Sequence, residues 1–244
     1  PVYSNVILIT VTPLSNPGSI TNNQTICSGT APASLSTNNY NGSLQWQYAS
    51  NIAGPWTNIV GANSSQLTSG QMGTLSTTRY YRLVSTNGSC PSTPSNVITI
   101  TVSPPSSAGT ISGPSYVCPG SSVNALQLIG NVGNVQWFTS TNVNGPYTAI
   151  PNATSNSLVY GPINQSTYFQ ATSNSLGCAP LTTSTYAVNT FNLPIINPGQ
   201  NQAICNGQSA MLVATGAVSY VWYNQGTGLI QGNSSAMLTF SKKY

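Results

Sequence analysis

The side chains best equipped for covalent or metal chemistry in this 244-residue sequence are five cysteines, Cys27, Cys90, Cys118, Cys178 and Cys205. A thiol can attack a substrate, hold a metal or close a bridge, and its neighbours decide which. Attack and proton transfer usually draw on His, Asp or Glu, and the sequence has none of the three. Glycoside cleavage by paired carboxylates is excluded on the same ground. No two cysteines stand in the close spacing of a zinc site, and a hard cation would find no carboxylate oxygens. No Gly-rich phosphate loop joins a strand to a helix. Bridging is what remains, so no catalytic, cofactor-binding or metal-ligating residue is assigned, and the chain is read as no enzyme.

Two bridges are expected, Cys27 with Cys90 and Cys118 with Cys178, leaving Cys205 without a partner in this sequence. Loops of 63 and 60 residues closed in this way would each add about 4 kcal/mol in the chain-entropy picture. Such bonds persist in oxidising surroundings, which places the chain outside the cell or on its surface.

The cysteines are landmarks of an internal repeat. QTICSG at 24–29 returns as SYVCPG at 115–120 and QAICNG at 202–207. Trp46 in LQWQY matches Trp137 in VQWF, GPWTNI matches GPYTAI, and SNVILITV at 4–11 matches SNVITITV at 95–102, each 91 residues apart. Short β-branched or alternating runs, separated by Gly, Pro, Asn and Ser clusters, predict strands over 17–26, 32–36, 43–49, 56–60, 65–69, 78–86 and 95–102. No segment keeps a helical period. About seven strands in a repeat with a Cys, Trp, Cys order is the immunoglobulin-like count. The fold class expected is therefore all-β, tandem immunoglobulin-like sandwiches arranged as beads on a string.

In that frame Trp46, Trp137 and Trp222 are core residues filling the gap between two sheets. Of Tyr80 and Tyr81, matched by Tyr168 and Phe169, one ring points inward and one outward. Trp56 and its equivalent Tyr147, each after Gly-Pro, either cap the edge of a sandwich or stand free to stack on a sugar ring. Residues 1–12 read as the last strand of a preceding repeat, 13–102 and 103–191 as full repeats, and 192–244 as an incomplete one. Proline-rich connectors near 12–18, 103–109 and 193–199 read as short and fairly stiff.

Charge is nearly absent. Only Arg79, Arg82, Lys242 and Lys243 are charged, 2% of the chain, against about a quarter in ordinary domains. Four cations in two pairs make no basic stripe, so nucleic acid is not an expected partner.

The phrases GSITNNQTICSGTAPASL, LQWQYASNIAGPWTNIVGA, TTRYYRLVSTNGSCPSTPSNVITITV and INPGQNQAICNG resemble the Ig-like repeats of giant secreted adhesins of Bacteroidota, including gliding-motility adhesins exported by the type IX system. The resemblance covers essentially the whole chain. It implies a long surface thread that holds a cell to a substratum, and it brings no catalytic residues. The expected function is thus a stalk or filament segment of a cell-surface adhesin, touching neighbouring repeats of its own chain and, at the surface, glycans or other ligands. Two alternatives stand beside it: carbohydrate-binding accessory repeats of a secreted enzyme, and a filament subunit that self-associates by strand exchange.

Overall fold

The computed structural model describes residues 5, 7–191, 194–224, 228–229 and 236–241. The first repeat contains β1 (Ser19–Ile20), β2 (Gln24–Cys27), β3 (Leu35–Asn38), β4 (Ser43–Ala49), β5 (Thr57–Asn58), β6 (Gln66–Leu67), a one-turn helix α1 (Ser69–Met72), β7 (Arg79–Thr86), β8 (Thr93–Pro94) and β9 (Ile98–Ser103). The second contains β10 (Thr110–Ser112), β11 (Tyr116–Val117), β12 (Ser121–Ile129), β13 (Asn134–Ser140), β14 (Thr148–Ala149), β15 (Ser157–Ile163), β16 (Thr167–Asn174), β17 (Leu181–Thr182) and β18 (Tyr186–Thr190). In the remainder, β19 (Ser209–Val213) pairs with β22 (Met237–Ser241), and β20 (Tyr223–Asn224) pairs with β21 (Gly228–Leu229).

Each full repeat is two sheets face to face. In the first, β1-β3-β6 covers β2-β9-β7-β4-β5, with β8 added beside β7. In the second, β10-β12-β15 covers β11-β18-β16-β13-β14, with β17 beside β16. The layers close because the strands alternate. Along β7, Tyr81, Leu83 and Ser85 are buried while their neighbours are half-exposed, and Thr167, Phe169, Ala171 and Ser173 repeat the pattern along β16. Period-two burial turns one face of each strand into the core. These are tandem immunoglobulin-like sandwiches.

Trp46 and Trp137 are fully buried at the centre of the two cores. Each indole N–H donates to a backbone carbonyl, Ser64 at 2.9 Å and Ser155 at 2.8 Å, so the polar end of the ring is satisfied inside. Trp222, in the third segment, is half-buried. Beside each central Trp a glutamine side chain bridges two carbonyls. Gln45 donates to Trp46 and Ile59 at 2.9 and 2.8 Å, and Gln136 donates to Trp137 and Ile150 at the same distances. The pair ties β4 and β13 to the segments that return past them.

Three local features differ from the sequence expectation. The strand predicted over 17–26 is two strands in different sheets. Asn22 takes φ 85° between them, and asparagine tolerates that left-handed backbone better than most residues. The Asn96 side chain accepts from Ile20 N at 3.0 Å and donates to Ile20 O at 2.7 Å, which holds the changeover. The helix α1 was not expected. Its capping box joins Thr68 to Gln71, but one turn is too short to impose a helical period on the sequence. Residues 7–12 form no strand, and Ile7, Leu8, Ile9 and Val11 are exposed.

Tyr81 is 1% exposed, and its hydroxyl has no well-aligned hydrogen-bond partner among the described residues, the Arg79 side chain being a polar neighbour. Burial pushes the phenol above its ordinary pKa; the charge of nearby Arg79 pulls the other way without outweighing it. The folded state therefore holds that proton when the unfolded chain has begun to release it. Its contribution is complete below the unfolded phenol's pKa of about 10 and is lost as pH rises through the folded value. Tyr81→Phe, which copies Phe169 of the second repeat, is expected to raise stability by up to about 1 kcal/mol in urea unfolding by removing an unsatisfied buried group.

Candidate functional site

The junction between the two repeats brings together the residues with chemistry. Cys27 and Cys178 form a disulfide across 151 residues of sequence, with Cα atoms 4.7 Å apart. Cys90, Cys118 and Cys205 carry no bond. The pairing of Cys27 with Cys90 and of Cys118 with Cys178 is therefore corrected: the bond joins successive repeats instead of closing each one.

Strand direction is the physical reason. β2 runs parallel to β9, with Cys27 opposite Ser103, so Cys27 lies at the end from which the chain leaves the first repeat. β7 runs antiparallel to β9, so its far end, and Cys90 just beyond it, lies where the chain enters. Eight residues of β7 separate the two ends by roughly 26 Å at about 3.3 Å per residue. A disulfide needs Cα atoms within about 7 Å. The second repeat repeats the geometry, with β11 parallel to β18 and β16 antiparallel to β18. Cys178, in the turn after β16, accordingly faces back toward the first repeat.

The connector completes the junction. Ser28 N donates to Ser103 O at 2.9 Å, and Cys178 Sγ lies 3.4 Å from the Pro104 carbonyl oxygen. Ser175 N donates to Ser106 Oγ at 3.0 Å, and Cys178 N closes the turn onto Ser175 O at 2.9 Å. Gly177 has φ 79°, and a Cβ there would stand 2.6 Å from Thr25 O. Only glycine lets the turn lie this close against β2 of the neighbouring repeat.

The two candidate sugar platforms are both engaged at home. Trp56 is half-buried, with the Arg82 guanidinium carbon 4.2 Å from its ring centroid. Arg82 Nε donates to Gln47 Oε1 at 2.8 Å, and Gln47 in turn donates to Asn58 Oδ1 at 2.8 Å. The cation on the ring face and the polar relay behind it fix Trp56 against its own sheet. Tyr147 is also half-buried; its hydroxyl donates to Val143 O at 3.0 Å and lies 3.1 Å from Thr185 Oγ1.

A cleft of about 520 Å³ opens at one end of the second repeat, lined by Asn142, Pro146, Tyr160, Pro162, Asn164 and Thr167 among others. Its lining carries hydroxyls and amides and no charged group, which suits an uncharged polar ligand.

The sequence has no Asp, Glu or His, so it carries no carboxylate or imidazole side chain. Stability in thermal melts is expected to stay flat between about pH 4.5 and 7, since carboxylates and imidazoles produce the usual dependence there. A melting temperature that shifts across this window would overturn the expectation.

No curated protein matches the chain in sequence. Among solved structures it is similar to immunoglobulin domains 1–5 of Sidekick-1, at 11% identity over 96% of this chain with a TM-score of 0.44, and it spans 53% of that chain. Domains A168–A170 of titin align at 11% identity over 74% of this chain and 68% of that one, TM-score 0.47. The fibronectin(III)-like modules of Clostridium thermocellum CbhA align at 10% identity over 74% and 95%, TM-score 0.34. A family described as a domain of unknown function (DUF8696) matches residues 16–104 and again residues 107–191, and the chain belongs to that family.

Proposed function

We propose that these repeats are a structural stalk segment of a secreted or cell-surface adhesin. They transmit load and supply reach between an anchor and a contact made elsewhere. The observation that carries this reading is the bond between Cys27 and Cys178, which fastens one sandwich to the next. Two linked sandwiches gain nothing chemically from such a bond, but they gain a junction that holds under tension. A disulfide also suits an extracellular address.

The stalk reading is tested by exchange. In the producing cell, the segment is replaced by unrelated disulfide-linked Ig-like repeats of equal length, and attachment under flow is measured. Attachment is retained if the segment provides reach. Loss of attachment in the exchanged cell, despite normal surface display, would show that these repeats carry recognition themselves.

The cleft at the end of the second repeat favours a second reading, contact with surface glycans. Glycan-array binding that disappears on Tyr160→Ala while the fold is kept would support it.

A further inference from the structure

The parts of the Cys27–Cys178 junction recur on either side of it. Cys118 directly follows β11, which pairs parallel with β18, as β2, ending in Cys27, pairs with β9. Phe191 N donates to Val117 O at 3.1 Å, so Cys118 sits where the chain leaves the second repeat, and it is exposed. Cys90 occupies the place in the first repeat that Cys178 holds in the second. Cys90 N closes its turn onto Asn87 O at 3.0 Å, and Asn87 N donates to Ser15 Oγ at 3.0 Å, as Ser175 N does to Ser106 Oγ. Cys90 Sγ lies 3.5 Å from Pro13 O, as Cys178 Sγ lies 3.4 Å from Pro104 O. One detail departs: Ser89 stands at the place of Gly177, and Gly88, with φ 55°, bends the turn one residue earlier.

A second observation points the same way from the backbone in front. Residues 7–11 read Ile, Leu, Ile, Thr, Val, and they match 98–102 of β9, where Ile98 and Ile100 are buried. Yet Ile7, Leu8, Ile9 and Val11 are 83–88% exposed, and they join no ladder among the described residues. The run has the residue pattern of β9 without its partners, and it ends beside the carbonyls of Thr12 and Pro13 that face Cys90.

We propose that Cys90 and Cys118 are the open halves of two more inter-repeat disulfides, each made with another repeat of this kind. Cys90 bonds the first cysteine of a repeat in front, the counterpart of Cys27. Cys118 bonds the turn cysteine of a repeat behind, the counterpart of Cys178. Each bond forms from two thiols, which release two protons and two electrons. The electrons pass to a disulfide oxidant, such as an oxidised thiol–disulfide oxidoreductase, whose own disulfide is reduced to two thiols. The inference rests on the extracellular reading above for access to that oxidant.

The test uses the intact protein from the surface of its producing cell, alkylated without reduction. It is then digested with chymotrypsin, because four cations leave trypsin almost nothing to cut. Mass spectrometry is expected to find Cys27 linked to Cys178, Cys90 linked to a peptide of the QTICSG type, and Cys118 linked to a turn peptide of the NGSCP or SLGCAP type. A Cys90→Ser variant should leave the front repeat's first cysteine open to alkylation while Cys27–Cys178 persists. Linked peptides support the proposal whether a non-reducing gel shows a single chain or a ladder that collapses on reduction. The first outcome places the partner repeat in the same chain and the second in another copy. Alkylated Cys90 and Cys118 beside an intact Cys27–Cys178 bond would overturn this proposal and leave the stalk reading standing. Alkylation of all five cysteines would remove both the proposal and the extracellular reading. A Cys27–Cys90 or Cys118–Cys178 link also overturns it.

Discussion

Pulled from its two ends, the oxidised chain is expected to extend by about 54 nm less than the reduced chain, at roughly 3.6 Å of contour per residue. The Cys27–Cys178 bond carries force past the 151 residues it encloses, and most of both sandwiches lies inside that ring. Of the two full repeats, β1 and β2 on one side and β17 and β18 on the other remain in the loaded path, together with β19–β22 of the remainder. Single-molecule force spectroscopy should show short, strand-sized steps under oxidising conditions and two domain-sized steps after reduction. Two domain-sized steps from the oxidised chain would contradict the connectivity. Bonds inside each repeat would instead have shielded two separate loops of about 60 residues each, as the chain-entropy reading of the sequence assumed.

Trp46→Ala is expected to cost the first repeat about 3–5 kcal/mol, a large share of the 5–15 kcal/mol that holds an ordinary domain together. Trp46 is fully buried among Leu35, Leu44, Leu67, Leu83 and Ile100, so truncation leaves a cavity in the middle of the sandwich. It also strips Ser64 O of its donor. Urea unfolding followed by amide NMR should show the first repeat melting early while the resonances of the second stay at their native positions. A loss below about 1 kcal/mol would mean that the core closes over the gap. Trp137→Ala should reproduce the effect in the second repeat, where Ser155 O is the orphaned acceptor.

The repeat itself was legible, because landmarks 91 residues apart recur in fixed order and alternating runs announce strands. The strand around Trp46 was found with its bounds, since SLQWQYA is bracketed by turn residues on both sides. What failed was the partner of Cys27. The sequence puts Cys27 and Cys90 in one repeat, but nothing in it says that β2 runs parallel to β9. That single direction decides which end of the sandwich each sulfur occupies, and sequence periodicity carries no sign. The Gln45 and Gln136 bridges were equally hidden. An uncharged polar residue beside a core Trp looks like any outward-facing position until its two carbonyl partners are located. Gly177 was one of 22 glycines, and only the neighbouring repeat, 2.6 Å from its missing Cβ, makes it special.

The same ring alters what a peptidase can accomplish. Exposed turns such as 51–53 and 141–144 are the usual places for a nick, and both lie between Cys27 and Cys178. A cut there opens the ring without parting the molecule, because the two fragments stay joined through sulfur. A chain built in this way survives backbone scission as one piece for as long as its surroundings are oxidising.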